Sequence, residues 1–270
     1  MEILDDNSKV NLFLIGAPKC GTSSYARALA SSSGVFVPPE KELNFFSNKW
    51  LNVTNSYYDG VKIDSLKKYA EIFEKCDEFS YRCDASVSYF IADGCPKEIF
   101  NYNKKAKVVF ISRDPIERAV SHYLMDNRLG YSSRGLSEYL NDTSSHQYLQ
   151  YIENSRYSKY LSSYRWYFGE NLLELTLEDG WDINKERLEK FLGIELTASM
   201  PEKNKALHYR NKYFSRLIRN RRLVHTVKKV LKNEMIKNTF RTILVSSKSS
   251  SIEVSKKEKD LIQSILRNDS

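Results

Sequence analysis

Apolar residues in this chain gather into short continuous runs, most of them followed by a helical pattern. Asn11-Leu-Phe-Leu-Ile15 is such a run, set between a polar N-terminus and a glycine-proline turn, and it predicts a buried strand. The loop Gly16-Ala-Pro-Lys-Cys-Gly21 comes next. From Thr22 the alanine-rich stretch Thr-Ser-Ser-Tyr-Ala-Arg-Ala-Leu-Ala predicts a helix ending near Ser33-Gly34. Val35-Phe36-Val37 predicts a second strand, stopped by Pro38-Pro39, and a tyrosine-rich polar stretch leads to a helix over residues 65–76. Lys107-Val-Val-Phe-Ile-Ser112 has the continuous apolar centre of a strand inside a parallel sheet. Asp114-Pro115 opens a helix, since Asp caps well and Pro suits the first helical position. Residues 172–177 alternate like a strand, and residues 185–191 form an amphipathic helix that Gly193 closes. A serine-rich loop at 246–251 precedes a last helix over 255–266.

Strands alternating with helices predict an α/β fold with a largely parallel sheet flanked by helices. The expected organisation is one domain over residues 1–270, with the α/β core at 11–200 and a basic helical C-terminal segment at 201–270. Composition agrees: 41% apolar residues with 18 Tyr and 13 Phe suffice for a core and exclude a disordered or fibrous chain. No apolar run approaches the ~20 residues of a membrane span. The polar stretch Met1 to Lys9, with Glu2, Asp5 and Asp6, does not read as a secretory signal, so a cytoplasmic protein is expected.

The formal charge of +8 becomes informative once it is located. Residues 205–241 hold twelve Lys and Arg against one acid, Glu234, so this segment carries +11 and the rest of the chain −3. Leu217, Ile218, Val224, Val227 and Leu231 fall near helical spacing there. The basic faces are then either solvated surface or a contact for an acidic glycan or for an anionic membrane carrying a lipid-linked acceptor. No nucleic-acid signature accompanies them. Cys20, Cys76, Cys83 and Cys95 show neither a CxxC pair nor a His at metal-ligand spacing, and four free thiols are expected.

Strand, tight loop and helix together present backbone N–H groups and a helix dipole to an anion. Gly16 and Gly21 flank four residues, as in the P-loop of nucleotide triphosphatases, but Gly21 is followed by Thr22, and the lysine, Lys19, lies inside the loop. The strand at 107–112 runs into Arg113 and not into a metal-holding acid. A P-loop-like phosphate cradle without the usual magnesium ligands is predicted, which demotes a kinase or NTPase to the alternative, beside a non-catalytic polyanion-binding protein. Arg113 at a strand end and Ser121 on the following helix can converge on one phosphate, the arginine as a bidentate fork.

These motifs resemble the sulfotransferases that use 3′-phosphoadenosine 5′-phosphosulfate (PAPS), and in particular the glycan-modifying branch that includes the heparan sulfate enzymes. Ala17-Pro18-Lys19-Cys20-Gly21-Thr22-Ser23-Ser24 resembles their 5′-phosphosulfate loop, and Arg113 and Ser121 match their 3′-phosphate pair. Lys41-Glu42-Leu43-Asn44-Phe45-Phe46 is similar to a Lys-Glu-hydrophobic-His-Phe-Phe block whose Glu is taken as catalytic base, with Asn44 standing where His is frequent. Asp84-Ala-Ser-Val-Ser-Tyr-Phe90 and Leu175-Thr-Leu-Glu-Asp179 are weaker echoes. The resemblance implies PAPS as donor, no metal, and a carbohydrate or polysaccharide acceptor. It implies Glu42 and Lys19 as catalytic residues, and Lys19, Cys20, Gly21, Thr22, Ser23, Ser24, Arg113 and Ser121 as donor-binding residues. Lys41 orients Glu42 or meets an acidic substrate. Glu42 as a solvated loop acid, His122 as a structural residue, Cys20 as a small packing residue, and Tyr57, Tyr58, Tyr89 and Phe90 as core are the plainer readings.

Overall fold

The structure, a computed structural model, describes residues 9–54, 63–197 and 253–267, with the backbone of 208–209 and 245–246. In chain order the elements are β1 (Leu12–Gly16), α1 (Thr22–Ala30), β2 (Val35–Phe36), α2 (Asn48–Thr54), α3 (Leu66–Glu71), β3 (Tyr81–Asp84), α4 (Ser88–Ile91), α5 (Cys95–Tyr102) and β4 (Lys107–Ser112). They continue with α6 (Pro115–Leu129), α7 (Leu136–Leu140), α8 (His146–Tyr151), α9 (Tyr157–Phe168), β5 (Leu172–Thr176), α10 (Trp181–Leu192), the two-residue strands β6 (His208–Tyr209) and β7 (Val245–Ser246), and α11 (Lys256–Arg267). Among the described residues no helix is long and apolar enough to cross a membrane.

Two compact units divide the chain, Met1–Pro115 with Arg156–Lys203, and Ile116–Ser155 with Asn204–Ser270. The first holds a five-stranded sheet in the order β2-β3-β1-β4-β5. Every pairing in it is parallel, so the predicted sheet is confirmed. Burial explains the central position of β1: all five of its residues are inaccessible, which only a strand covered on both faces allows. Phe13 of β1, Phe46, Tyr69, Tyr89 and Tyr102 pack edge-to-face or tilted at 5.2–6.5 Å, which places the aromatic surplus of the sequence in the core. Tyr89 and Phe90 belong to that core, whereas Tyr57 and Tyr58 lie outside the described residues. All four cysteines are free and buried.

Several predicted boundaries move. The helix expected at 65–76 spans Leu66–Glu71, capped by the Ser65 hydroxyl, which accepts from the Lys68 amide. The helix expected at 185–191 begins four residues earlier, at Trp181, because the Trp181 indole packs edge-on against Tyr25 of α1 at 5.4 Å. Gly193, at φ 72°, closes it as expected.

The second unit has its own core, built from Ala119, Tyr123, Leu136, Tyr139, Tyr151, Ile152 and Ile262. Arg118 is fully buried there: Nη2 donates to the Gln150 and Tyr151 carbonyls at 2.7 and 2.6 Å, at the C-terminal end of α8, and Nε donates to Ser155 at 2.6 Å. A guanidinium at a helix C-terminus meets the negative end of the dipole. His122 Nδ1 lies 3.2 Å from Arg118 Nη1, with the ring against Tyr151, so this histidine is a buried packing residue. The basic segment at 205–241 lies outside the described residues, apart from the backbone of β6, which pairs antiparallel with β7.

Candidate active site

Parallel strands bring their C-terminal ends to one edge, and ligands of open α/β sheets bind there, at the point where strand order reverses. In this sheet that point lies between β1 and β4, the strands that run into Lys19 and Arg113. The β1–β4 register slips between Leu14 and Gly16, and the Ala17 amide donates to the Ile111 carbonyl at 2.8 Å, fixing the start of the loop on β4. Gly16 has φ 145°, and a Cβ there would stand 2.8 Å from Phe90 Cβ, so only glycine fits. Lys19 (φ 72°) and Gly21 (φ 80°) both take the left-handed conformation, which folds the loop back on itself before α1.

Gly21 is the N-cap of α1 and contributes no side chain to it. The amides of Ser24 and Tyr25 are engaged with the Gly21 carbonyl at 2.8 and 3.3 Å. Those of Gly21, Thr22 and Ser23 have no partner among the described residues, as befits the first N–H groups of a helix. These three amides, the positive end of the helix and Lys19 compose an anion cradle. Thr22 is buried and Ser23 half-buried, and the Ser24 hydroxyl accepts from Arg27 at 3.4 Å. Cys20 is fully buried with its sulfur 3.6 Å from the Tyr157 hydroxyl, which donates to the Arg113 carbonyl at 2.9 Å. Tyr157 thereby joins the cradle to the end of β4.

Glu42 projects from the loop between β2 and α2. Lys41 Nζ lies 3.1 Å from Glu42 Oε1, and the two side chains keep 21% and 19% of their exposure, so the carboxylate is oriented yet reachable. Leu43 and Phe46, which follow Glu42, are buried, and Phe45 stacks on Tyr69 at 4.5 Å. The chain turns at Asn44, φ 55°, which sits over the end of β3. Asp84 at that strand end is fully buried, accepting from Tyr69 (2.8 Å) and Tyr89 (2.6 Å) on Oδ2 and from Ser86 (2.6 Å) on Oδ1. Burial raises its pKa; the three hydroxyls oppose the rise and the charge of Glu42 adds to it. Ser121 stands on α6 in the other unit, half-buried, its hydroxyl without a partner among the described residues. Arg113 and Ser121 are each placed only within their own unit.

No family model matches the sequence. The mouse and human heparan sulfate glucosamine 3-O-sulfotransferase 5 are each 25% identical to it over 199 residues, 70% of this chain and 53% of theirs. The chain therefore spans about half the length of the curated relatives it matches. A solved sulfotransferase from Alicyclobacillus acidocaldarius superposes with a TM-score of 0.61 over 73% of this chain and 86% of that one, at 22% identity. The fold is that of a sulfotransferase.

In this sulfotransferase fold the sequence motifs occupy three neighbouring strand ends: the Lys19 loop after β1, Glu42 in the segment held over β3, and Arg113 after β4. Reading the sequence missed Tyr157, and it took Asp84-Ala-Ser-Val-Ser-Tyr-Phe90 only as a weaker echo, with no role for Asp84 or Ser86. The Asp-x-Ser-x-Ser repeat that starts on the last residue of β3 was the available signal, because small hydroxyls alternating behind an acid have nothing apolar to bury.

Proposed function

We propose that the chain moves a sulfuryl group from PAPS to a hydroxyl, most plainly that of a carbohydrate or polysaccharide. The observation that carries this reading is the residue set at the switch point, where an anion cradle with its lysine inside the loop follows β1 and Arg113 follows the neighbouring strand, β4. A P-loop kinase or NTPase needs an acid there to hold magnesium. The acid on the strand beside β1, Asp84, has both oxygens taken by three hydroxyls, which disfavours that alternative.

The donor fits the residues present: the unengaged amides of Gly21, Thr22 and Ser23 with the hydroxyls of Thr22, Ser23 and Ser24 suit its 5′-phosphate. Arg113 at the end of β4 suits the 3′-phosphate, and the sequence resemblance adds Ser121 to it. When bound, PAPS supplies the sulfuryl group that the acceptor oxygen receives. Glu42 takes the proton of the attacking hydroxyl, a contribution of typically 10²–10⁴-fold. Lys19 neutralises the charge that develops on the departing phosphate oxygen. Lys41 holds the Glu42 carboxylate in one orientation and attracts an acidic acceptor. The names of the two mammalian relatives support a sugar hydroxyl as acceptor, and they supply no further detail for this chain.

Glu42→Gln is expected to slow transfer by about 10²–10⁴-fold, leaving a measurable residual rate, and to leave the thermal shift given by 3′-phosphoadenosine 5′-phosphate intact. Full turnover by the variant sinks the assignment of the base. Activity that requires ATP and vanishes with EDTA sinks the whole reading in favour of a kinase or NTPase, and absence of any nucleotide shift favours a non-catalytic polyanion binder.

A further inference from the structure

Below the Lys41–Glu42 pair lies a set of fully buried polar side chains that the chemistry above does not use. The Asn44 amide donates to Ser86 Oγ at 3.1 Å, and the Ser86 hydroxyl donates to Asp84 Oδ1 at 2.6 Å. The Ser88 hydroxyl donates to Asn44 Oδ1 at 2.5 Å, and Ser47 Oγ sits 2.7 Å from Ser88 Oγ and 3.2 Å from the Asn44 carbonyl oxygen. Asn44 is 4% exposed, and Ser47, Asp84, Ser86 and Ser88 are wholly inaccessible.

This network grips one residue. Asn44 has a left-handed backbone, tolerated by asparagine but unfavourable for an L-residue unless its surroundings impose it. Its conformation sets the direction in which Leu43 and Glu42 leave the loop, and its N–H has a single acceptor, Ser86. Ser86 is aimed in turn by Asp84, which two core tyrosines hold from the other side. The chain of contacts runs from the rigid end of β3 to within two residues of the proposed base.

We propose that Ser86, anchored on Asp84, is a positioning residue for Glu42, holding its loop in the one conformation that presents the carboxylate. The proposal rests on Glu42 being the base. Ser86→Ala leaves the Asn44 N–H buried without an acceptor, so the loop relaxes away from the strand end.

Three measurements on the full chain test it. Amide exchange of Asn44 should quicken at least about tenfold in Ser86→Ala, as expected for a lost hydrogen bond. Its kcat should fall about 10- to 100-fold, the scale of a base displaced by about 1 Å, with KM for the donor within about twofold. In a Glu42→Gln background the same substitution should change the residual rate less than about twofold, since its effect acts through Glu42. Ser86→Cys, nearly isosteric and a poor acceptor, should show the same pattern and serves if the alanine variant does not fold. A wild-type kcat in Ser86→Ala, or equal losses in both backgrounds, overturns the proposal while leaving the base in place. Wild-type turnover by Glu42→Gln alone overturns the base reading, and the proposal with it.

Discussion

Asp84 is an acid that solvent does not reach. Its folded pKa is raised by burial, so the folded protein binds a proton more tightly at this site than the unfolded chain, whose value is near 3.8. Its contribution to stability is therefore fully present below that value and is lost as pH rises through the raised folded value, by at most about 1.4 kcal/mol per pH unit. Asp84→Asn removes the titration. Thermal melts of the two proteins from pH 4 upward should show the wild type losing ground to the variant as pH rises and then levelling; a pH-independent difference contradicts this. At this scale the sequence was partly legible. Lys19, inside a loop flanked by two glycines, and Arg113, at a strand end, announced themselves because charge there has few uses, while Glu42 was legible only through the resemblance of its Lys-Glu block. Ser86 did not, because its meaning depends on Asn44, and a contact across 42 positions leaves no trace in local pattern.

Among the elements, β1, β2 and β4 were readable from their apolar runs and β5 from its alternation, and β3 was not. Tyr81-Arg-Cys-Asp84 carries two charges in four residues, both paired inside: Arg82 Nε donates to the Lys9 carbonyl at 2.9 Å, and Asp84 collects three hydroxyls. A strand whose charges are buried has no alternation to detect. Helix α9 was likewise unforeseen, its polar and aromatic residues being mixed, yet it delivers Tyr157 to the cradle. Tyr157→Phe removes the hydrogen bond to the Arg113 carbonyl and keeps the ring packing against Phe110 and Phe90. Calorimetry should find 3′-phosphoadenosine 5′-phosphate bound a few-fold to about tenfold more weakly, the scale of one hydrogen bond. A nucleotide lacking the 3′-phosphate should be affected less. Equal losses for both would place the effect in the cradle and not at Arg113.

For the molecule as a whole, the charge divides into a near-neutral body and the +11 segment at 205–241. If that segment receives an acidic acceptor, its attraction is screened as the Debye length falls from ~10 Å at 0.1 M salt to ~3 Å at 1 M. KM for a sulfated polysaccharide should then climb with salt while KM for a neutral oligosaccharide stays nearly constant; parallel curves argue for a merely solvated face. A different consequence follows from the bond between Tyr157 and Arg113. Residues 116–155 leave the first unit just after one of these residues and return just before the other, so the excursion is pinched shut at its neck by groups that both belong to the sheet-bearing unit. Closing a loop becomes only ~0.6 kcal/mol harder each time its length doubles. An excursion gathered at its neck in this way tolerates lengthening at little entropic cost, in evolution or in the laboratory, while the strands of the first unit keep their register.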